Sequence, residues 1–129
     1  MTGMTANMQE LQIKRQRVDS VEVITLIGAV DALAFTEFSA TLTRLIEEAT
    51  PCIILECSQV TYIGSAQLQE LIGFAHLGQA RGGDLKCVGL PPTIQQVANL
   101  IAMGDLIEFY DTLPEALRSF RGSTVGAAQ

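Results

Sequence analysis

The chain has 129 residues, 48% hydrophobic and 17% charged, with a net charge of −6. That is enough for one domain with one sizeable core, in the balance of a folded rather than a disordered protein. Eight Lys and Arg scattered along an acidic chain supply no basic face, so neither nucleic acid nor an anionic membrane surface is an expected partner.

The opening MTGMTANMQE has no basic start and no apolar stretch, so it does not read as a secretory signal. No apolar run approaches the ~20 residues of a membrane span. A single domain is expected over 9–120, with loose, small and polar ends at 1–8 and 121–129. Leu11 to Arg17 alternates loosely and reads as a strand. Val18-Asp19-Ser20 reads as a turn and VEVITLIG, Val21 to Gly28, as a second strand, so the pair predicts an antiparallel hairpin.

Next, Phe35, Phe38, Leu42, Leu45, Ile46 and Ala49 fall on one face at helical spacing, with Asp31 as N-cap and Pro51 as the stop. CIIL, Cys52 to Leu55, is an unbroken apolar run that suits a strand covered on both faces of a parallel sheet. A short polar loop then leads to a second helix, beginning near Ser65 and ending near Gly82-Gly83, with Leu68, Leu71, Ile72 and Ala75 inward.

DLKCVGL, Asp84 to Leu90, is the next strand. Pro91-Pro92-Thr93 opens a third helix, in which Thr93 and Gln96 have capping-box spacing and Ile94, Val97, Ala98 and Ile101 form the stripe. LIEFY, Leu106 to Tyr110, reads as a last strand. Thr112 and Glu115 have capping-box spacing at a final short helix that contains Pro114 and ends near Phe120. The order β-β-α-β-α-β-α-β-α predicts an α/β domain: a mixed, mostly parallel sheet of four to five strands with about four helices and right-handed crossovers.

Cys52, Cys57 and Cys87 are odd in number and lie among apolar residues, so they read as reduced core thiols in a cytoplasmic protein. With one histidine, His76, and no C-x-x-C, no metal site is expected.

Ser65, in TYIGSAQLQELIG, is open to three readings: a helix cap, a nucleophile or a phosphate acceptor. As a nucleophile it fits poorly, because a glycine directly precedes it and Gln67 stands where a nucleophile elbow has its second glycine. His76 lies about 16 Å further along the same helix, too far to act as its base. Neither nucleotide-binding glycine motif is present, so no cofactor is expected and the chain is not read as an enzyme. The position suits an anion, since the N-terminus of a helix that follows a parallel strand faces the ligand-binding edge of the sheet.

VEVITLIGAVDALAFTEF, PCIILECSQVTYIGSAQLQELIGF, ARGGDLKCVGL and LPEAL, in that order and spacing, resemble the STAS domain family. The likeness is to the stand-alone form that serves as a bacterial anti-sigma factor antagonist, and it covers about Leu11 to Phe120. The resemblance implies a partner switch. The unmodified antagonist binds a serine-kinase anti-sigma factor, the kinase phosphorylates Ser65 from ATP, and a phosphatase reverses the step. Asp31 corresponds to an aspartate near the acceptor, so the expected partner surface is Asp31, Ile63, Gly64, Ser65, Ala66 and Gln67. The alternative is a scaffold or accessory STAS subunit, of a signalling assembly or a transport ATPase, in which Ser65 is only a cap.

The chain departs from the family pattern twice. The aspartate expected before the serine is Gly64, and the glycine expected two residues after it is Gln67. Gly64 is an acceptable N-cap, and Gln67 at the third helical position could reach back to the Gly64 N–H. If the missing acid weakens kinase recognition, Gly64→Asp should speed phosphorylation.

Overall fold

A computed structural model describes residues 10–48 and 52–128, with the backbone alone at 48 and from 121 onward. The elements follow the expected order: β1 (Gln12–Val18), β2 (Val21–Val30), α1 (Ala32–Glu48), β3 (Cys52–Ile63), α2 (Ser65–Ala80), β4 (Asp84–Val88), α3 (Pro92–Leu100), β5 (Phe109–Tyr110) and α4 (Leu113–Ala128), with a 3₁₀ turn at Met103–Asp105. They build one five-stranded sheet in the order β1-β2-β3-β4-β5. The β1–β2 pair is antiparallel and the other three pairs are parallel.

Strand parity divides the core in two. Ile24 and Leu26 of β2, with Ile53 and Leu55 of β3, meet the apolar stripes of α1, α2 and α3 on one face. Val21, Val23, Ile54 and Val88 face Ala116 and Phe120 of α4 on the other. CIIL is thus covered on both sides, as its unbroken apolar run predicts.

Asp31 caps α1, its Oδ1 accepting from the Ala34 N–H at 2.8 Å. At α4 the Thr112 N–H donates to Glu115 Oε1 at 3.2 Å and the Glu115 N–H donates to Thr112 Oγ1 at 3.4 Å, a complete capping box. The Thr93–Gln96 box does not form. Proline's fixed φ starts α3 at Pro92, which makes Pro91 the N-cap and places Thr93 inside the first turn.

Three boundaries differ from the sequence reading by more than two residues. β3 runs on through the segment expected to be a loop, because β2 continues to pair with it as far as Val30–Ile63, across register shifts beside Thr25 and at Gly28, whose φ is +110°. LIEFY contributes only Phe109–Tyr110 to the sheet, since the 3₁₀ turn ends just before it and Ile107 is buried between the two. α4 continues past Phe120 to Ala128, where the sequence places no proline to stop it. Ala49, Pro51 and the N-terminal residues 1–8 lie outside the described residues.

Lys86 is 3% exposed, between β4 and α4. Its Nζ donates to Ser119 Oγ at 2.6 Å, pairs with Glu108 Oε1 at 3.0 Å and lies 4.3 Å from the Phe120 ring centre. Removing the charge but keeping the stem strands nothing buried, because Ser119 Oγ still donates to the Ala116 carbonyl and the Glu108 side chain is open to water. Lys86→Met is therefore expected to change stability by less than about 1 kcal/mol, whereas Lys86→Ala, which leaves a cavity beside Phe120, should cost about 2–3 kcal/mol in urea unfolding. Equal losses would place the energy in the charge rather than the packing.

Hydrogen bonds from the Tyr110 hydroxyl and from Lys86 hold the Glu108 carboxyl below its ordinary value of 4.5. Its small contribution to stability is present above that value and is lost as pH falls through the lowered one. Cys57 and Cys87 are buried and unbridged, as read from their apolar neighbours, whereas Cys52 is half-buried. A hydrogen bond with Cys87, together with burial, pushes the Cys57 thiol well above its ordinary value, which keeps it protonated and unreactive.

Candidate functional site

The site lies where β2 and β3 leave the sheet. Val30 pairs with Ile63, so the next residues, Asp31 and Gly64, emerge side by side at the carboxyl edge and each caps a helix. The first helical bond of α2 runs from the Leu68 N–H to the Gly64 carbonyl at 3.0 Å. The N–H groups of Ser65, Ala66 and Gln67 precede it and have no intrahelical partner. No acidic residue stands in this first turn, so the positive end of the helix is not neutralised by its own side chains.

The cap is Gly64, and Ser65 is the first residue of the helix. Ser65 is exposed, and among the described residues its hydroxyl makes no hydrogen bond. The cap reading of Ser65 is therefore set aside: the backbone turns at Gly64, one residue earlier. The nucleophile reading gains no base. His76 is an exposed residue further along α2, and the described residues hold no group of three or more His, Cys, Asp or Glu suited to a metal ion. None of the described helices is long and apolar enough to cross a membrane.

Of the other positions expected to face a partner, Asp31 and Ala66 are exposed and Gly64 is half-buried. Ile63 is 9% exposed and belongs to the core against α1 and α2, so its side chain does not form part of the open surface. The register shift opposite Gly28 and Ala29 gives β3 one extra residue, so Thr61 and Tyr62 are both exposed and Ile63 returns to the core face that Val60 occupies. Gln67 is also buried, at 8%. It folds back onto Gly64 as a capping box would, but no hydrogen bond to the Gly64 N–H forms.

The sequence reading misses two residues of this edge, Tyr62 and Leu33. Leu33 is 82% exposed in the first turn of α1, next to Asp31. It was legible as an apolar residue off the Phe35–Phe38 stripe. Together they give the edge two large exposed side chains, of the kind that interfaces bury. A groove of about 500 Å³ beside Asp31 and Leu33 continues this surface toward Leu11 and Glu37.

A model of the STAS domain matches residues 12–116. A search of curated protein sequences finds no match. Among solved structures, an anti-sigma factor antagonist from Mycobacterium paratuberculosis is 20% identical with a TM-score of 0.76, the match covering 86% of this chain and 94% of that one. SpoIIAA in its unphosphorylated form, an anti-sigma factor antagonist, is 22% identical with a TM-score of 0.74, covering 87% and 96%. SpoIIAA of Bacillus in its phosphorylated form is 21% identical with a TM-score of 0.67, covering 85% and 98%. At these identities the likeness establishes the shared fold.

Proposed function

The chain belongs to the STAS domain family, and on that premise we propose that it is an anti-sigma factor antagonist that works by partner switching. With Ser65 unmodified, the edge formed by Asp31, Tyr62, Gly64, Ser65 and Ala66 docks on a serine-kinase anti-sigma factor and so frees the sigma factor. The kinase moves the γ-phosphoryl group of ATP to Ser65 Oγ, the hydroxyl proton leaves, and the complex parts. A phosphatase restores the hydroxyl, and the cytoplasm is where such a cycle would run.

The observation that carries this reading is an exposed serine hydroxyl, making no hydrogen bond among the described residues, on the first residue of a helix whose N–H groups face the edge. A phosphate there meets N–H donors that have no intrahelical partner and no carboxylate in its own first turn. The fold likeness to antagonists solved in both unphosphorylated and phosphorylated forms supports the same reading. Mass spectrometry of the protein purified from its own host tests it directly, with phosphate expected at Ser65. A Ser65 that stays unmodified under every growth condition would instead support the scaffold reading.

The antagonist itself performs no chemistry in this scheme. Purified protein is expected to turn over no ester, phosphate or nucleotide substrate. Turnover that disappears in Ser65→Ala would overturn that expectation.

A further inference from the structure

Gly64 adopts φ −75° and ψ 155°, an extended conformation open to any residue, so the backbone does not demand glycine there. The demand comes from Gln67. Its Oε1 occupies the place a β-carbon on Gly64 would take, with Gln67 Cδ at 3.4 Å and the Tyr62 hydroxyl oxygen at 3.2 Å from that point. Gln67 is 8% exposed, and among the described residues its carboxamide makes no hydrogen bond. A primary amide with spare donors and acceptors is thus held beside a phenol, one residue before the exposed Ser65.

We infer that Gly64 and Gln67 are a matched pair that decides which serine kinase reads Ser65, an inference that rests on the phosphorylation proposed above. The missing side chain at 64 is what lets the amide lie there. Beside the exposed Tyr62, Gly64 leaves a neutral patch ahead of the acceptor serine, floored by the mostly buried Gln67, where the resemblance led one to expect a carboxylate. The partner that fits is a kinase whose docking surface places polar neutral groups, rather than an Arg or Lys, against position 64. A kinase selected for an acid there would leave its cation desolvated and unpaired.

This changes the expectation for Gly64→Asp. A new side chain at 64 meets the far end of Gln67, which yields more readily than backbone would. The substitution therefore expels the amide from its place while adding the acid, and phosphorylation by the native kinase should slow rather than speed. Gln67 and Gly64 act here as positioning residues, since the phosphoryl group is transferred to Ser65.

The test is a double-mutant cycle on the full chain with Gly64→Ala, Gln67→Ala and the double variant. Alanine at 64 adds only the β-carbon. With Gln67 present the usual gain should be offset by the shift of the Gln67 side chain, leaving the melting temperature within about 2 °C of wild type. In the Gln67→Ala background the same change should raise the melting temperature by roughly 2–5 °C, as Gly→Ala does where the conformation is compatible.

The kinase arm uses a host lysate fractionated for ATP-dependent phosphorylation of Ser65, at a temperature where all variants are folded. Gly64→Ala, Gln67→Ala and Gly64→Asp should each raise the KM for the antagonist about tenfold and leave kcat within about twofold, the pattern of lost docking. A lower KM for Gly64→Asp would overturn the inference, and so would equal gains in melting temperature in both backgrounds. If the wild-type chain takes no phosphate, the proposed function fails and the kinase role fails with it, while the difference in melting between the two backgrounds would still report the steric pair.

Discussion

Phosphorylated at Ser65, the protein is expected to bind the serine-kinase partner proposed for it at least about a hundredfold more weakly than the unmodified form. The phosphate adds about −1.5 to −2 charges at neutral pH. Within its own domain that charge sits at the N-terminus of α2, against N–H groups without helical partners, so the fold should stand. A docked partner shaped around a neutral hydroxyl must instead desolvate it, and an unpaired buried charge costs several kcal/mol. Each ~1.4 kcal/mol is tenfold in affinity, so a penalty of only ~2.8 kcal/mol already gives the hundredfold loss. Ser65→Glu should reproduce part of the loss, because it brings one charge in a different shape. Ser65→Ala should bind as the wild type does and resist the kinase. Titration calorimetry of the phosphorylated, Glu and Ala forms against the native partner measures this, and equal affinities would show that Ser65 plays no part in docking.

Leu68→Ala should lower the unfolding free energy by about 2–5 kcal/mol, a large share of the ~5–15 kcal/mol that holds a domain together. Leu68 is fully buried in the first turn of α2 and joins Leu71 and Ala75 in the core against β2, β3 and α1. It ties the helix start, and with it Ser65, to the sheet. Ser65→Ala, three residues earlier but exposed and without a capping bond, should stay within about 0.5 kcal/mol of wild type. Urea unfolding of both variants separates the two roles. A loss of about 1 kcal/mol or more for Ser65→Ala would mean that the hydroxyl caps the helix in solution after all.

By itself the sequence determined whatever depends on neighbours within a turn or two. The Asp31 cap and the Thr112–Glu115 box formed as written, because donor and acceptor belong to the same short stretch. The Phe35–Phe38–Leu42 stripe and the CIIL run showed which residues are buried, since burial follows the period of the element. These local signals, in order, were enough for the architecture and for placing Ser65 at a helix start on the carboxyl edge of the sheet. Tertiary structure decided what depends on partners far along the chain. β3 persists to Ile63 because β2, some thirty residues earlier, pairs with it across a register shift in which Thr61 is the extra residue opposite Gly28 and Ala29. That extension, with its extra residue at Thr61, sets the edge, so Tyr62 faces out, Ile63 faces in and the cap falls on Gly64. Lys86 is buried because α4, arriving from the chain's end, supplies Ser119 and Phe120 over β4. The seat of Gln67 follows from the same cause. It depends on how the end of β3 sets Gly64 and Tyr62 in space, and that is settled by cross-strand hydrogen bonds rather than by the spacing of Gly64 and Gln67 along the chain.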